Sequence, residues 1–549
     1  MHWDKPAGGA EAYARSVSVT RRVRARAPEG PIEPPATLRA PDEVATYLFD
    51  ASRLPGGATP RVLLPRSEGE VAWAVRNEPR LLAAGAQSSL TGGSTPRGEA
   101  VLSFQRMAGI VELRDDLARV EAGLPLLVLE EALAARDLAY PPVPTFTGAT
   151  VGGTVSTNAA GAATWKHGTT RRWVEGLTVV LATGDVLDLR RGEVRSGPAG
   201  RFEVELPGGR VLEVPVPTYR MPDVPKRSAG YHAEPDMDLV DLFVGSEGTL
   251  GVVTRVELRL VARPPQLLVA LVACPSEAAA LELTATLRDA SRATWAAGDP
   301  LGVDVRAIES ADRRSLQLLR EEGADRTAAV SIAPGTDTLL WVQLELPRGV
   351  DAEGALQEAW GEAGRDGPLH RFVRLLQARD LLDGVEVALP DDRSRRAQLF
   401  QLREAVPVAA NHRVQAAQRE VDPAIHKVGG DMIVPFARFP GLMARYREVF
   451  AGLDLAIWGH VSDGNVHPNV LPRSKGETER GKEALLQLGR EVMEMGGCPL
   501  SEHGTGRNPV KQALLRLLYG ERGIEEMRAV KRALDPEWKL APGVLFPPP

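Results

Sequence analysis

The chain has 549 residues, 43% apolar and 25% charged, the balance of an ordinary soluble globular protein, and at about 150 residues per unit it predicts three to four structural units. Its formal net charge is −6, and no basic stripe interleaves with aromatics, which argues against nucleic acid as a partner. The two cysteines, Cys274 and Cys498, lie far apart with no CxxC, which excludes a disulfide framework and a cysteine-held iron–sulfur cluster.

Residues 1–40, rich in Pro, Arg and Ala, read as a loosely ordered arm or linker. The basic stretch "TRRVRARAPEG" has no apolar core behind it, so it is not a secretory signal. No apolar run nears the roughly 20 residues that span a bilayer. A cytoplasmic protein is expected, with peripheral attachment at the inner membrane left open. From residue 41 the pattern becomes a βαβ unit: strand "RVLLP", helix "SEGEVAWAVRN" opened by a Ser67 cap with Glu70 three residues on, then strand "PRLLAAG". The second strand runs into "GAQSSLTGGSTP", whose backbone N–H groups and hydroxyls suit a phosphate or pyrophosphate. It is neither a Walker loop nor GxGxxG, and alone it reads as an ordinary glycine-rich turn rather than a phosphate site. A second small-residue stretch, Gly148 to Gly161, allows very close backbone approach to something flat or extended. The strands "EGLTVVLATG" and "VLDL" follow across an Asp185 turn, and then a tight turn and long strand in "LFVGSEGTLGVVTRVELRL".

The motifs "GAQSSLTGG", "TVGGTVSTNAAG", "KHGTTRRWVEGL" and "LFVGSEGTLGVVT", in this order, resemble the FAD-binding domain of the vanillyl-alcohol oxidase type. The likeness is greatest to its D-2-hydroxy acid dehydrogenase branch: D-lactate dehydrogenase, the glycolate oxidase flavoprotein subunit and D-2-hydroxyglutarate dehydrogenase. The resemblance implies an α+β fold: a two-part FAD-binding domain plus a cap domain with a mainly antiparallel sheet covered by helices. It implies that Gly85, Ala86, Gln87, Ser88, Ser89, Leu90, Gly93 and Ser94 hold the pyrophosphate. Gly148, Gly152, Gly153, Ser156, Asn158, Gly161 and Gly168 would line the ribityl chain and ring, while Glu247, Gly248 and Val252 contact or brace the adenosine end. Gln87-Ser88 replaces the family's usual Gly-Thr. With no histidine or cysteine in the pyrophosphate loop, and only His167 after the second stretch, non-covalent FAD is expected.

These readings divide the chain into an arm (1–40), an FAD-binding domain (41–262), a substrate or cap domain (263–505) and a C-terminal segment returning to the FAD domain (506–549). Within the cap, alternating strands and helices from "PPQLLVALVAC" to "DAEGALQEAWGEAG" predict an antiparallel sheet with helices on one face. Glu309, in "AIESAD", reads as structural.

The stretch "GHVSDGNVHPN" reads as a hairpin with an Asp463-Gly464 turn. Counting outward pairs Ser462 with Asn465, Val461 with Val466 and His460 with His467, about 5 Å apart at Cβ. Two facing imidazoles suit a shared divalent metal, and Asn469 falls on the same face.

By the resemblance, Glu502 in "GGCPLSEHGTGRNPVKQALL" is the third metal ligand beside His460 and His467, and His503 is the acid–base residue. Arg403 would bind the substrate carboxylate, with Lys427 and Asn469 assisting. Zinc is the first expectation for the metal, with manganese or iron as alternatives. The tail resembles the closing helix and return strand of the family, with Ala541 where Asn is usual.

The expected activity is oxidation of a D-2-hydroxy acid to the 2-oxo acid. The chain stops without a cysteine-rich extension, so electrons would leave to a quinone, an electron-transfer protein, a cytochrome or oxygen; homodimerisation stays open. The rival readings are a flavin-binding subunit of a larger oxidase and an alkyl-glycerone-phosphate-synthase-like flavoenzyme.

Overall fold

The computed structural model describes residues 20–142, 146–262, 266–359 and 366–548. Of the expected N-terminal arm, residues 1–19 lie outside the described residues. The remainder is not loose. Arg22–Arg24 runs parallel to Arg201–Glu205, held by ion pairs of Arg21 and Arg22 to Glu203, and Ala36–Leu38 pairs with Val62–Leu64. A three-residue strand such as Arg22–Arg24 carries no periodic signal, and its partner lies far along the chain.

The flavin half contains two main sheets. Four strands stand in the order 36–38, 62–64, 100–103, 81–84, so the strands of the predicted βαβ unit both pair, in parallel, with Ala100–Ser103 between them. The helix Glu68–Asn77 starts where expected, with the Ser67 hydroxyl accepting from Glu70 N–H. Five antiparallel strands form the other sheet, in the order 186–190, 174–180, 252–259, 117–121, 110–113. The C-terminal helix Pro509–Leu534 breaks at Gly520, after which Leu540 bridges to Leu81 and Ala541 N–H donates to the Leu81 carbonyl.

The cap is built on one large antiparallel sheet, whose strands run 386–388, 267–274, 338–345, 305–311, 455–460, 465–470 and 428–429, with 432–433 also on 465–470. Helices cover both faces rather than one. Alternation along each strand decides which residues face which helices. Leu268, Ala270, Val272, Leu340 and Val342 pack under the helices 277–297, 368–377 and 439–449. Val269, Leu271, Leu339, Trp341 and Trp458 pack under 313–322 and 393–420. That second face has two zones. Beyond Trp341 the same strand continues through Gln343 and Glu345, and beyond Trp458 through His460. The apolar zone anchors the helices, and the polar zone is left for the site.

Lys166 and His167, at the end of the short helix Thr164–His167, meet this polar zone. The Lys166 ammonium lies 2.7 Å from Asp304 and 2.6 Å from Glu345, and the His167 ring faces Glu345 at 3.8 Å. The flavin half is thereby fixed against the cap sheet.

Candidate active site

The hairpin at the centre of the sequence reading forms, but not with a two-residue turn. Leu455–His460 and Asn465–Val470 are joined by a 3-10 turn over Val461–Asp463 and by Gly464 in the left-handed region at φ 76°. His460 therefore pairs with Asn465, and His467 with Trp458. The expected partnership of His460 with His467 is displaced by two residues. Because side chains alternate with a period of two, that shift leaves both histidines on one face, with ring centroids 5.7 Å apart. The longer turn has a physical cause. Ser462 is fully buried and accepts a hydrogen bond from Ile308 N–H at 3.2 Å, while Asp463 folds inward to Lys226 at 2.8 Å.

Glu502 stands between the histidines. Its Oε1 is 3.0 Å from His467 Nε2 and 3.4 Å from His503 Nε2, and its Oε2 is 3.2 Å from His460 Nδ1. The His503 ring stacks on His467 at 4.7 Å. Burial pushes the His467 pKa down to about 4 against the pull of Glu502, so the ring is neutral and ligand-competent near pH 7.

Two residues that the sequence reading did not single out organise this cluster. Lys226 is fully buried, with its ammonium 2.7 Å from His460 Nδ1, 2.9 Å from Glu502 and 2.8 Å from Asp463. Burial opposes its charge, yet Asp463 and Glu502 hold its pKa above the ordinary value. Asp431 accepts the backbone N–H groups of Glu502 at 3.0 Å and His503 at 2.7 Å, and the Ser501 hydroxyl. Burial works against its charge, but His503 and Lys511 hold the carboxyl far below the usual carboxylate range. Asp431 could have been found, since it lies four residues after Lys427 in "HKVGGDM". Lys226 had no local signal.

Donor atoms of Asp431, His467, Glu502 and His503 all fall within 4.8 Å of one another, a group that could hold a metal ion. His460 Nε2 and His467 Nδ1 are buried with no hydrogen-bond partner. Buried imidazole nitrogens without a partner are costly unless a ligand completes them. Of the expected ligands, His467 and Glu502 belong to that group and His460 does not, since its Nδ1 meets the Lys226 ammonium and its Nε2 faces Glu309; imidazole and carboxylate donors so grouped fit a divalent ion.

The expected substrate contacts are placed less uniformly. The Arg403 guanidinium pairs with Glu309, and Glu309 Oε2 lies 3.7 Å from His460 Nε2. Glu309 is thus part of the site's surroundings. Lys427 sits over the Trp458 ring at 5.9 Å, with burial lowering its pKa to about 8. Asn469 lies two residues after His467 on the same strand, its amide donating to the His467 carbonyl at 2.7 Å, while the Asn465 side-chain oxygen accepts from Lys226 at 3.3 Å.

The glycine-rich loops converge on a separate surface. Gly85 packs so closely on Thr150 that an added Cβ would lie 2.2 Å from its hydroxyl. Gln87 takes a left-handed φ of 52°, and among the described residues no acceptor meets the backbone N–H groups of Ala86, Gln87, Ser88, Ser89 or Leu90. A row of free N–H groups with a left-handed residue inside it is an anion nest, and it fits the pyrophosphate of FAD. Gly93 and Ser94 turn their N–H groups inward to Ser89 and Asp50. Gly152 and Gly153 form the first turn of the helix Val151–Thr157, which ends at Asn158 with φ 47°. Ser156 turns its hydroxyl back to the Gly152 carbonyl, and Val252 is buried in the apolar core, so a cofactor would meet only its main chain. Gly148, Gly161, Gly168 and Gly248 lie in the neighbouring turns, and an added Cβ at Gly248 would meet open space.

Glu247 joins the two centres, accepting from the backbone N–H groups of Thr505 and Gly506, both at 2.8 Å. Burial raises its pKa to about 7, against these two donors.

Comparison with known proteins finds two families along the chain. Residues 59–190 match the FAD binding domain family and residues 269–545 match the C-terminal domain of FAD linked oxidases. The chain is 26% identical over 518 residues to the glycolate oxidase subunit GlcD of Bacillus subtilis, covering 91% of this chain and 92% of that protein. It is 27% identical over 501 residues to a D-2-hydroxyglutarate dehydrogenase of Xanthomonas citri, covering 88% and 89%. With a D-lactate dehydrogenase of Archaeoglobus fulgidus it shares 27% identity over 465 residues, 84% of each. Among solved structures, an alkyldihydroxyacetonephosphate synthase superposes with a TM-score of 0.58 at 14% identity, over 94% of this chain and 88% of that one, a likeness of fold alone.

Proposed function

Because the chain belongs to the FAD-linked oxidases, an oxidoreductase family, we propose that it oxidises a D-2-hydroxy acid of the D-lactate, glycolate or D-2-hydroxyglutarate type to the 2-oxo acid, using non-covalent FAD. The observation that carries this reading is the convergence of Glu502 with His460, His467 and His503 on the polar zone of the cap sheet, where the flavin half docks. Relatives named for three 2-hydroxy acid activities support the substrate class.

The nest at Ala86–Leu90 would hold the pyrophosphate, and the turns around Asn158 and Glu247 the rest of the cofactor. His460, His467 and Glu502 would hold a divalent metal, zinc first; Asp431, already bonded to Ser501, Glu502 and His503, braces them. When bound, FAD supplies a hydride acceptor, and the ion supplies Lewis acidity that lowers the pKa of a substrate hydroxyl.

The chain's own residues do the rest. Arg403 and Lys427 attract and orient the substrate carboxylate, Arg403 being able to do so bidentately once it leaves Glu309. His503 receives the hydroxyl proton at Nε2, the nitrogen on the Glu502 side. Asp431, 3.6 Å from Nδ1, steadies the resulting imidazolium. Lys226 keeps the carboxylates of Asp463 and Glu502 from repelling each other in the closed site. Electrons then pass to a quinone, an electron-transfer protein or a cytochrome.

The test is anaerobic mixing of the purified flavoprotein with a panel of D- and L-2-hydroxy acids, with and without chelator, watching flavin bleaching. Bleaching by D-acids that chelator suppresses is expected. No bleaching by any acid defeats the proposal and directs attention to a non-redox use of the flavin, as in an alkyl-transfer enzyme.

A further inference from the structure

Between the cap sheet and the flavin half lies a cavity of about 810 Å³ whose wall carries Arg306, Arg348, Arg393, Arg396 and Arg403. Arg403 and Glu309 line it too, and Glu309 marks the end nearest His460. Arg306 lies three residues earlier on the same strand, at its bulge, roughly 10 Å along the backbone. The reach of an arginine side chain brings that separation within the length of a short diacid.

Arg306 is held on one side only. Its Nε donates to Gln343 Oε1 at 2.9 Å, and among the described residues no acceptor contacts its terminal nitrogens, although Glu345 and Glu130 attract its charge from farther off. Arg396 donates to the Leu267 and Pro390 carbonyls, while its Nε is buried without an acceptor. Burial lowers the pKa of both guanidiniums, and Arg306 adds to the lowering at Arg396, so the two repel across this space. Glu130, Asp391 and Glu404 line the same wall, but among the described residues none is in hydrogen-bond or ion-pair contact with Arg306, whose fork can therefore take an anion. The pyrophosphate is not that anion, because residues 85–94 do not line this cavity.

We propose that Arg306, seconded by Arg396, receives a second anionic group at the far end of the substrate, so that the preferred substrate is a dianionic 2-hydroxy acid. This deepens the preceding assignment and rests on it for the position of the hydroxy-acid end. Carboxylate and phosphate share the required chemistry, since a guanidinium binds either bidentately.

The test compares wild type, Arg306→Gln and Arg306→Lys. Flavin reduction is followed with D-lactate and D-2-hydroxybutyrate, then with D-malate, D-2-hydroxyglutarate and D-3-phosphoglycerate. Glutarate and butyrate, which carry no hydroxyl to oxidise, are titrated calorimetrically into the same proteins. We expect dianions to be preferred over monoanions, and Arg306→Gln to lose about 10- to 100-fold in kcat/KM for dianions with less than about 3-fold loss for monoanions. Glutarate should bind wild type more tightly than butyrate, a difference that Arg306→Gln removes and Arg306→Lys largely keeps. The dianion with the largest loss distinguishes carboxylate from phosphate. Equal losses for both substrate classes, or glutarate binding no tighter than butyrate, overturn the proposal. An Arg306-dependent preference for glutarate without any flavin bleaching upholds the anion site while defeating the hydroxy-acid assignment.

Discussion

The carboxylate of Asp431 accepts the backbone N–H of His503 at 2.7 Å, so a residue seventy-two positions earlier fixes where the proposed proton acceptor sits. Asp431→Ala removes the acceptor for two buried N–H groups and a hydroxyl. Each orphaned group costs about 1–3 kcal/mol, and the Glu502-His503 segment loses its anchor. The expected outcome is a lower Tm and flavin reduction slowed by about 10-fold or more, measured by thermal denaturation and stopped-flow spectroscopy. Unchanged values for both would remove Asp431 from the site.

Lys226 stands inside a shell of Asp463, Glu502 and His460. Lys226→Met leaves two buried carboxylates without their counter-charge, a loss of about 3–5 kcal/mol for a broken buried pair. A divalent ion can replace part of that charge. Added zinc or manganese should therefore raise the Tm of the variant more than that of wild type, and an equal rise in both would contradict this account.

The pKa of Lys427, lowered to about 8 by burial, sets a pH window. Its ammonium is present below pH 8 and lost above it. KM for the hydroxy acid should climb as pH rises through about 8, with little change in kcat, and Lys427→Arg should flatten the climb. The sign for stability is the opposite. Between pH 8 and 10.5 the unfolded lysine binds the proton that the folded one has released, so this group's contribution to stability rises with pH across that window.

Gly85 lies where the nest meets Thr150. Gly85→Ala would place a methyl group 2.2 Å from the Thr150 hydroxyl, forcing the two glycine-rich segments apart. Protein purified with this substitution should carry much less FAD, read as the ratio of flavin absorbance to protein absorbance, while retaining folded far-UV signal.

The flavin loops were legible because their requirement is local: a run of small residues states directly that backbone must come close to something. The hairpin was legible in its face but not in its register. The Asp463-Gly464 pair looks like a solvent turn, and only the buried contacts to Ile308 and Lys226 explain why four residues, not two, make the connection. Lys226 stands in "PKRSAGY", which reads as a charged surface segment. Its partners are more than 230 residues away, and local periodicity carries no information about them. The tail gives a similar case. Ala541 adopts φ 45°, a left-handed conformation that Asn tolerates better than Ala, which gives a physical reason for the residue usual there.

The two bonds from Thr505 and Gly506 to Glu247 have a bearing on how such enzymes can be re-engineered. The segment carrying Glu502 and His503 is held from both halves, by Ile433 and Asp431 of the cap at its start and by Glu247 of the flavin half at its end, whereas His460 and His467 belong to the cap sheet alone. The centre is therefore a property of the seam. A chimera that exchanged only the cap sheet for that of a relative would import two histidines and the anchor at Asp431 but leave Glu502 with the host, so the crossover must carry residues 498–507 along with the donor's own counterpart of Glu247.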